Sequence, residues 1–269
     1  MRKIIIDTDP GQDDALAMMT AFGAKKDLNV LGVTCVAGNV PLDLTSVNAL
    51  KICELSGFFS VPVFRGSPAP LKRKLITAEH VHGKTGLDGT DLSVKKKELE
   101  RTDAVDFIIE CTEKYRDEKI TICALGPLTN VAKALKKGSV LTESIEEIVL
   151  MGGGFFEGGN ITPAAEFNIY VDPEAAKIVL ESGLKITMLP LDVTHKTLVQ
   201  RNFLEKLRKS GKNSAIQAAK LLDFFERYDV EKYGSQGGPL HDPNVIVYLL
   251  NPEISVSYTH LTLPTSSRV

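Results

Sequence analysis

The sequence lacks the features that mark several classes of protein. Its 32 Lys and Arg nearly balance 34 Asp and Glu, and the formal net charge is only −2. We therefore expect no general attraction to nucleic acid or to an anionic membrane surface. No apolar run approaches the roughly 20 residues that a transmembrane helix needs. The first predicted strand leaves no room for a signal peptide before it, so we expect a soluble, cytoplasmic protein.

Cysteine motifs and internal repeats are also missing. The four cysteines, Cys35, Cys53, Cys111 and Cys123, are scattered without a Cys-x-x-Cys pair, and three of them lie in apolar runs. This pattern favours buried, reduced thiols over a zinc site or disulfides. No sequence period repeats, and no linker-like composition interrupts the chain before residue 250, so we predict one domain.

What the sequence does contain is an alternation of strand and helix patterns. With 43% hydrophobic residues, it can form a sizeable core. Apolar runs predict strands at 4–6, 28–36, 61–64, 120–124, 145–151 and 185–190, and most of the segments between and after them have helical spacing, with a break near Gly211. The predicted fold class is α/β, a single open, mainly parallel β-sheet flanked by helices. Segment 65–100 fits neither pattern and is expected to be a lid, a binding loop or a small insertion.

The most informative stretch is Asp-Thr-Asp-Pro-Gly-Gln-Asp-Asp at 7–14. Its four carboxylates follow an apolar strand and begin a helix. Two like charges about 4 Å apart repel by roughly 1 kcal/mol in water, and several times more in a partly dry cleft. The cluster therefore needs a cation, protons or solvent, and oxygen ligands at this density suit Ca²⁺ or Mg²⁺. The alternative is that Asp13 and Asp14 only favour a helix N-terminus, while Asp7 and Asp9 are solvated.

Other polar segments also follow predicted strands. They contain Asn39, Leu125, the glycine-rich segment 151–168, and His241 with Asp242. In an open α/β sheet, ligands bind outside the carboxyl ends of the strands. We therefore expect these segments to meet at one edge of the sheet, although each residue alone would most often be a turn, capping or structural group.

Five motifs in order resemble one enzyme family. They are Asp-Thr-Asp-Pro-Gly-Gln-Asp-Asp at 7–14, Ala-Leu-Gly-Pro-Leu-Thr-Asn at 124–130, Met-Gly-Gly at 151–153, Gly-Asn-Ile-Thr-Pro-Ala-Ala-Glu-Phe-Asn at 159–168 and His-Asp-Pro at 241–243. With them, the chain up to about Ile254 resembles the inosine-uridine preferring nucleoside hydrolases. The resemblance implies the nucleoside hydrolase fold, a Ca²⁺ cofactor, and hydrolysis of the N-glycosidic bond of ribonucleosides of the uridine, cytidine and inosine class. It also implies a small-molecule substrate and a homo-oligomer, either a dimer or a tetramer.

The same resemblance implies roles for individual residues. The expected metal ligands are the carboxylates of Asp9, Asp14 and Asp242 and the backbone carbonyl of Leu125. Asp9 is also the expected base that activates water, and His241 the expected acid that protonates the departing nucleobase. The expected substrate contacts are Asp13, Asn39, His82, Met151, Asn160, Glu166, Phe167, Asn168 and Tyr233, and Asp7 is expected to support the acidic corner.

Two features depart from the family pattern. Asp229 stands where relatives tend to carry Tyr or Gln near the base, so the preference for purine or pyrimidine stays open. The family continues beyond Ile254, whereas the last residues here are rich in Thr and Ser. We therefore expect a nucleoside hydrolase-like domain at 1–256, incomplete at its C-terminal end, and a non-native tail at 257–269; an ordinary flexible terminus is the alternative.

Two other functions fit parts of the sequence. Asp7-Thr8-Asp9 after an apolar strand also resembles the nucleophile motif of haloacid dehalogenase-type phosphatases, but that motif would continue with Gly-Thr instead of Pro10-Gly11. The second alternative is a non-catalytic nucleoside-binding protein on the same fold, against which the intact Asp9, His241 and Asp242 argue.

Overall fold

Strands and helices alternate along most of the chain, as the sequence predicts. The structure is a computed structural model that describes residues 1–138, 141–234 and 237–255, apart from the side chains at positions 141 and 233. The strands within these ranges are β1 (Arg2–Thr8), β2 (Leu28–Cys35), β3 (Val63–Arg65), β4 (Ile120–Ala124), β5 (Ile145–Met151) and β6 (Ile186–Leu189). The helices there are α1 (Gln12–Gly23), α2 (Leu42–Leu55), α3 (Glu79–His82), α4 (Ala104–Lys114), α5 (Thr129–Lys137), α6 (Leu141–Ser144), α7 (Phe167–Val171), α8 (Pro173–Leu180), α9 (Leu191–Thr194), α10 (Arg201–Lys209), α11 (Asn213–Tyr233) and α12 (Pro243–Leu250), followed by a 3-10 turn, Pro252–Ile254.

The six strands form one sheet in the order β3-β2-β1-β4-β5-β6, and every neighbouring pair is parallel. The strand order reverses between β1 and β4, which creates a crevice at their carboxyl ends where α/β proteins bind ligands. Asp7 of β1 is in register with Thr34 of β2 and Ala124 of β4, so the three strands end side by side. The predicted open, mainly parallel sheet is confirmed.

Helices bury both faces of the central strand. Ile4 and Ile6 pack into a core with α1, α2 and α12, whereas Ile5 packs into a second core with α4, α5 and α8. All three isoleucines are fully buried. Alternate side chains of a strand point to opposite faces, and a parallel strand covered on both faces therefore has a continuous apolar sequence.

The predicted elements agree with the structure except where they are short. β3 begins at Val63, two residues later than predicted, although the Pro62 carbonyl before it already accepts from the Val33 N–H of β2 at 2.9 Å. The predicted break near Gly211 is confirmed by the gap between α10 and α11. Helices α3, α6, α7 and α9 were not predicted, since four or five residues are too few to show a helical period.

Two predictions about composition also have a structural counterpart. All four cysteines are buried and free, as predicted. No helix within the described ranges is long and apolar enough to cross a bilayer. The domain boundaries stay predictions, and residues 257–269 lie outside the part of the chain that the structure describes.

Candidate active site

Four aspartates meet at the crevice between β1 and β4. Asp9 lies in the turn after β1, Asp13 and Asp14 lie in the first turn of α1, and Asp242 precedes α12. All four are at most 4% exposed. Asp13, Asp14 and Asp242 each provide a carboxylate oxygen, and these three oxygens lie within 4.8 Å of one another.

Hydrogen bonds from the backbone and from one asparagine hold two of these acids. Asp14 accepts from the Gly11 N–H at 2.9 Å and from Asn39 Nδ2 at 3.0 Å. Asp9 Oδ2 accepts from the Asn39 N–H at 2.7 Å. The buried Oδ1 atoms of Asp9 and Asp13 have no hydrogen-bond partner among the described residues. Buried carboxylate oxygens without a partner are costly, so they require a proton or a cation.

The same burial raises the pKa values of Asp9, Asp13 and Asp242. It raises the pKa of Asp13 to about 8, with a further contribution from the neighbouring Asp14. Burial likewise raises the pKa values of Asp9 and Asp242 well above their usual range, and the adjacent aspartates add to the shift. Within the described ranges, no lysine or arginine forms a salt bridge with any of the four. An oxygen-only group of this kind is suited to a hard divalent cation.

Asn168 joins the ends of β4 and β5 at the same edge. Its Nδ2 donates to the backbone carbonyl of Leu125 at 2.7 Å and to that of Met151 at 3.3 Å. A carbonyl oxygen has two lone pairs, so the Leu125 carbonyl retains acceptor capacity beyond this hydrogen bond.

Glu166 and Asn160 hold the helix that carries Asn168. Glu166 is the N-cap of α7 and accepts the backbone N–H groups of Asn168 at 2.9 Å and Gly153 at 3.0 Å. Asn160 Oδ1 accepts the Phe167 N–H at 2.9 Å. Burial raises the pKa of Glu166 to about 7. In this structure both side chains therefore organise the glycine-rich loop as well as line the site.

Two histidines, the buried His82 and the half-buried His241, line the cavity together with the acids. His82 ends α3, and its Nδ1 is 2.7 Å from Gln12 Oε1. His241 Nδ1 is 2.8 Å from Thr194 Oγ1. Burial lowers the pKa of each ring to about 3, so both rings are neutral at pH 7 in this structure.

These groups surround one cavity of about 410 Å³, a volume typical of small-molecule sites. The predicted site residues that line it are Asp13, Asn39, His82, Leu125, Met151, Asn160, Glu166, Phe167, Asn168, His241 and Asp242. Asp9 and Asp14 are buried behind this lining. Tyr233 is the last residue of α11, and its side chain lies outside the described part of the chain.

Other residues of the site were not predicted. Gln12 bonds His82, Thr194 bonds His241, and the Phe225 ring lies 5.5 Å and 6.3 Å from the rings of His82 and His241. Thr194 follows β6, so the rule that sites form at strand ends could have found it. Phe225 lies within a long helix and carried no such signal.

Asp7 lies apart from the four clustered aspartates and is hydrogen-bonded to neighbouring elements of the fold. Its Oδ1 accepts from Thr34 Oγ1 at 2.6 Å and from Asn130 Nδ2 at 2.8 Å. These hydrogen bonds join β1 to β2 and α5, beneath the acidic cluster. Burial raises the pKa of Asp7 to about 6.

Comparisons with known proteins agree with this arrangement. The family model described as "Inosine-uridine preferring nucleoside hydrolase" matches residues 4–267. The chain is 42% identical over 252 residues to pyrimidine-specific ribonucleoside hydrolase RihB of Escherichia coli, covering 94% of this chain and 79% of the relative. It is 47% identical over 257 residues to pyrimidine-specific ribonucleoside hydrolase RihA of Photobacterium profundum, covering 95% and 82%.

Solved structures give the same result. The plant nucleoside hydrolase PpNRh1 superposes with a TM-score of 0.90 at 35% identity, covering 95% of this chain and 80% of that one. The purine-preferring ribonucleoside hydrolase from Gardnerella vaginalis also has a TM-score of 0.90, at 32% identity, covering 95% and 82%. The chain therefore belongs to the inosine-uridine preferring nucleoside hydrolase family and is an N-ribohydrolase.

Proposed function

We propose that this enzyme hydrolyses the N-glycosidic bond of uridine, cytidine and inosine-class ribonucleosides with Ca²⁺ as its cofactor. The observation that carries the proposal is the group of buried carboxylates, two with unpartnered oxygens, at one side of a cavity of about 410 Å³. Relatives are named as both pyrimidine-specific and purine-preferring, so we include both base types.

The donor set fits a hard divalent cation. Asp9, Asp14 and Asp242 and the Leu125 carbonyl would hold Ca²⁺, with Asp13 beside them. Their oxygens are buried, and those of Asp9 and Asp13 without partners would gain one. When bound, the ion would supply Lewis acidity to water and to ribose hydroxyls.

The protein's own groups account for the remaining chemistry. Loss of the nucleobase develops positive charge on the ribose, as in other glycoside cleavages, and carboxylates close to the ring stabilise that charge. Asp9 Oδ1 has no hydrogen-bond partner among the described residues. With a cation bound, the Asp9 carboxylate would be ionised and would keep a lone pair to accept a proton from water. Asn39 fixes the orientation of both Asp9 and Asp14 through its backbone N–H and its Nδ2.

His241 is the proposed proton donor to the departing base. Thr194 holds its Nδ1, and the ring lines the cavity. Because its pKa is lowered to about 3, the protonated ring is rare at pH 7 in this structure. The acid role therefore requires that bound substrate favour the protonated ring.

The function is tested by measuring ribose release from uridine, cytidine and inosine with added Ca²⁺ and with a chelator. We expect turnover of at least one nucleoside with Ca²⁺ and its loss after chelation. Asp242→Asn should abolish the response to Ca²⁺, whereas Asp91→Asn, at an exposed position, should leave it unchanged. A folded protein that cleaves none of the three nucleosides would refute the proposal.

The role of His241 is tested with leaving groups of different basicity. For His241→Ala we expect the kcat for nucleosides to fall by about 10²- to 10⁴-fold, the usual contribution of acid catalysis. The loss should be small for p-nitrophenyl riboside, whose leaving group needs no proton. Equal losses on the two substrates would remove His241 from this role.

The two alternative functions are less well supported. The family match includes the Asp-Thr-Asp segment that suggested a phosphatase, and the relatives are ribonucleoside hydrolases. The nucleoside panel also tests the non-catalytic alternative. We further propose a homodimer or homotetramer, to be tested by sedimentation, and the cytoplasmic location stays a prediction.

A further inference from the structure

The side chain of Gln12 connects the start of α1 to the segment that carries His82. Gln12 is fully buried. Its Nε2 donates to the backbone carbonyls of His82 at 2.9 Å and Asp88 at 3.2 Å, while its Oε1 lies 2.7 Å from His82 Nδ1. One amide therefore makes three contacts with residues 70 or more positions away.

These contacts determine the orientation of the amide. Backbone carbonyls can only accept hydrogen bonds, so the atom that faces both of them must be the amide nitrogen. The atom facing the imidazole is then the amide oxygen, which can also only accept. His82 Nδ1 must therefore carry a hydrogen, and in the neutral ring Nε2 is left with a bare lone pair.

The position of the ring directs this lone pair toward the substrate cavity. The Nδ1 edge lies against Gln12 and Gly11, and the Phe225 ring lies 5.5 Å from the imidazole. His82 is only 6% exposed and lines the cavity. Among the described residues, none forms a hydrogen bond with His82 Nε2.

We propose that Gln12 is a positioning residue that holds His82 in the Nδ1–H form, so that Nε2 accepts a hydrogen bond from the bound nucleoside. The role as a nucleoside contact rests on the proposed function. The donor on the nucleoside is an N–H of the base, as at N3 of uracil or N1 of hypoxanthine, or a ribose hydroxyl. A base that presents only an acceptor there, such as N3 of cytosine, leaves two lone pairs facing each other.

The tautomer can be measured without turnover. In full-length protein with ¹⁵N-labelled histidine, the ring ¹⁵N shifts distinguish the two neutral forms, and His82→Gln identifies the signals of His82. We expect a protonated Nδ1 in the wild type, and loss of this preference in Gln12→Met, which keeps the length of the side chain without its polar atoms. Gln200→Met, at an exposed position, is the matched control. A protonated Nε2 in the wild type would overturn the proposal, whether or not the protein cleaves nucleosides.

Kinetics then identify the donor. If the base N–H is the donor, we expect kcat/KM for 3-methyluridine to be about 10- to 100-fold lower than for uridine. If the ribose 5′-hydroxyl is the donor, we expect the same loss for 5′-deoxyuridine. In Gln12→Met the same discrimination should largely disappear. Gln12→Glu keeps an acceptor for Nδ1 and should retain more of the discrimination than Gln12→Met. If the wild type and both variants discriminated equally between uridine and its analogues, the acceptor role would be refuted. If no nucleoside reacted, only the proposed function would be refuted.

Discussion

Gly38 and Gly126 lie against the carboxylate of Asp9, so a methyl group added at one of them tests the role of Asp9 directly. A Cβ atom at Gly126 would lie 2.2 Å from Asp9 Oδ1. Gly126 is not among the described glycines with positive φ, so the substitution Gly126→Ala acts through space alone and not through backbone strain.

The size of the effect follows from the distance. Cβ contacts shorter than 3.0 Å are essentially never found, so Oδ1 must move by at least 3.0 − 2.2 = 0.8 Å. A misplacement of about 1 Å in a catalytic group costs on the order of 100-fold in rate. Overpacking of this kind costs about 1–3 kcal/mol of folding free energy. Because domains have about 5–15 kcal/mol of stability, we expect Gly126→Ala to fold but to lose about 100-fold in kcat/KM.

The assay is the initial rate of ribose release at saturating Ca²⁺, together with a thermal melt of each variant. Gly23→Ala is the matched control, since the added Cβ would have no atom within 4 Å other than those of its own helix backbone and chain neighbours. It should retain the rate of the wild type and at least its melting temperature, because Ala is favoured over Gly in a helix. If a folded Gly126→Ala enzyme kept kcat/KM within about threefold of the wild type, the placement of Asp9 at the reacting centre would be wrong.

Two further predictions concern the side chains of Asp7 and Thr194. Asp7 has a pKa of about 6 in the fold against an ordinary 3.8, so the native state binds its proton more tightly than the unfolded state. The free energy of unfolding of the wild type, taken relative to that of Asp7→Asn, should therefore fall by about 3 kcal/mol as the pH rises from about 4 to 6, and it should stay level above about pH 6. Urea unfolding of both proteins without metal measures this difference. A difference that does not depend on pH would contradict this pKa. Thr194→Val removes the hydrogen-bond partner of His241 and should lower kcat/KM for nucleosides by up to about tenfold, with little effect on p-nitrophenyl riboside. An equal effect on both substrates would show that Thr194 acts on the fold and not on the leaving group.

Much of the fold could be predicted because its signals are local. The central strands are covered on both faces, so each appears in the sequence as a continuous apolar run, and the polar residues that follow mark the strand ends. Since parallel strands end at one edge, the motifs after β1, β4 and β5 had to meet there. The resemblance to the nucleoside hydrolases added the particular residues, most of which line one cavity.

The sequence could not distinguish the acids from one another. Asp13, expected to contact substrate, lines the cavity, and its carboxylate also lies with those of Asp14 and Asp242. Asp9 is enclosed behind the lining. The motif has Asp9, Asp13 and Asp14 within eight positions, and only the turn of the backbone after β1 determines where each of these carboxylates points. The raised pKa values of Asp9, Asp13 and Asp242 depend on burial, which is a property of the packed structure.

Gln12 illustrates the same division between sequence and tertiary structure. It stands inside the acidic motif, where its identity suggested nothing, and its function depends on atoms of residues 82 and 88. A residue's local propensity and the chemistry of its side chain can be read from the chain. Which groups it meets, and whether water is excluded there, is decided by segments that are distant in sequence and brought together by packing, because hydrogen bonding and burial depend on distances in space.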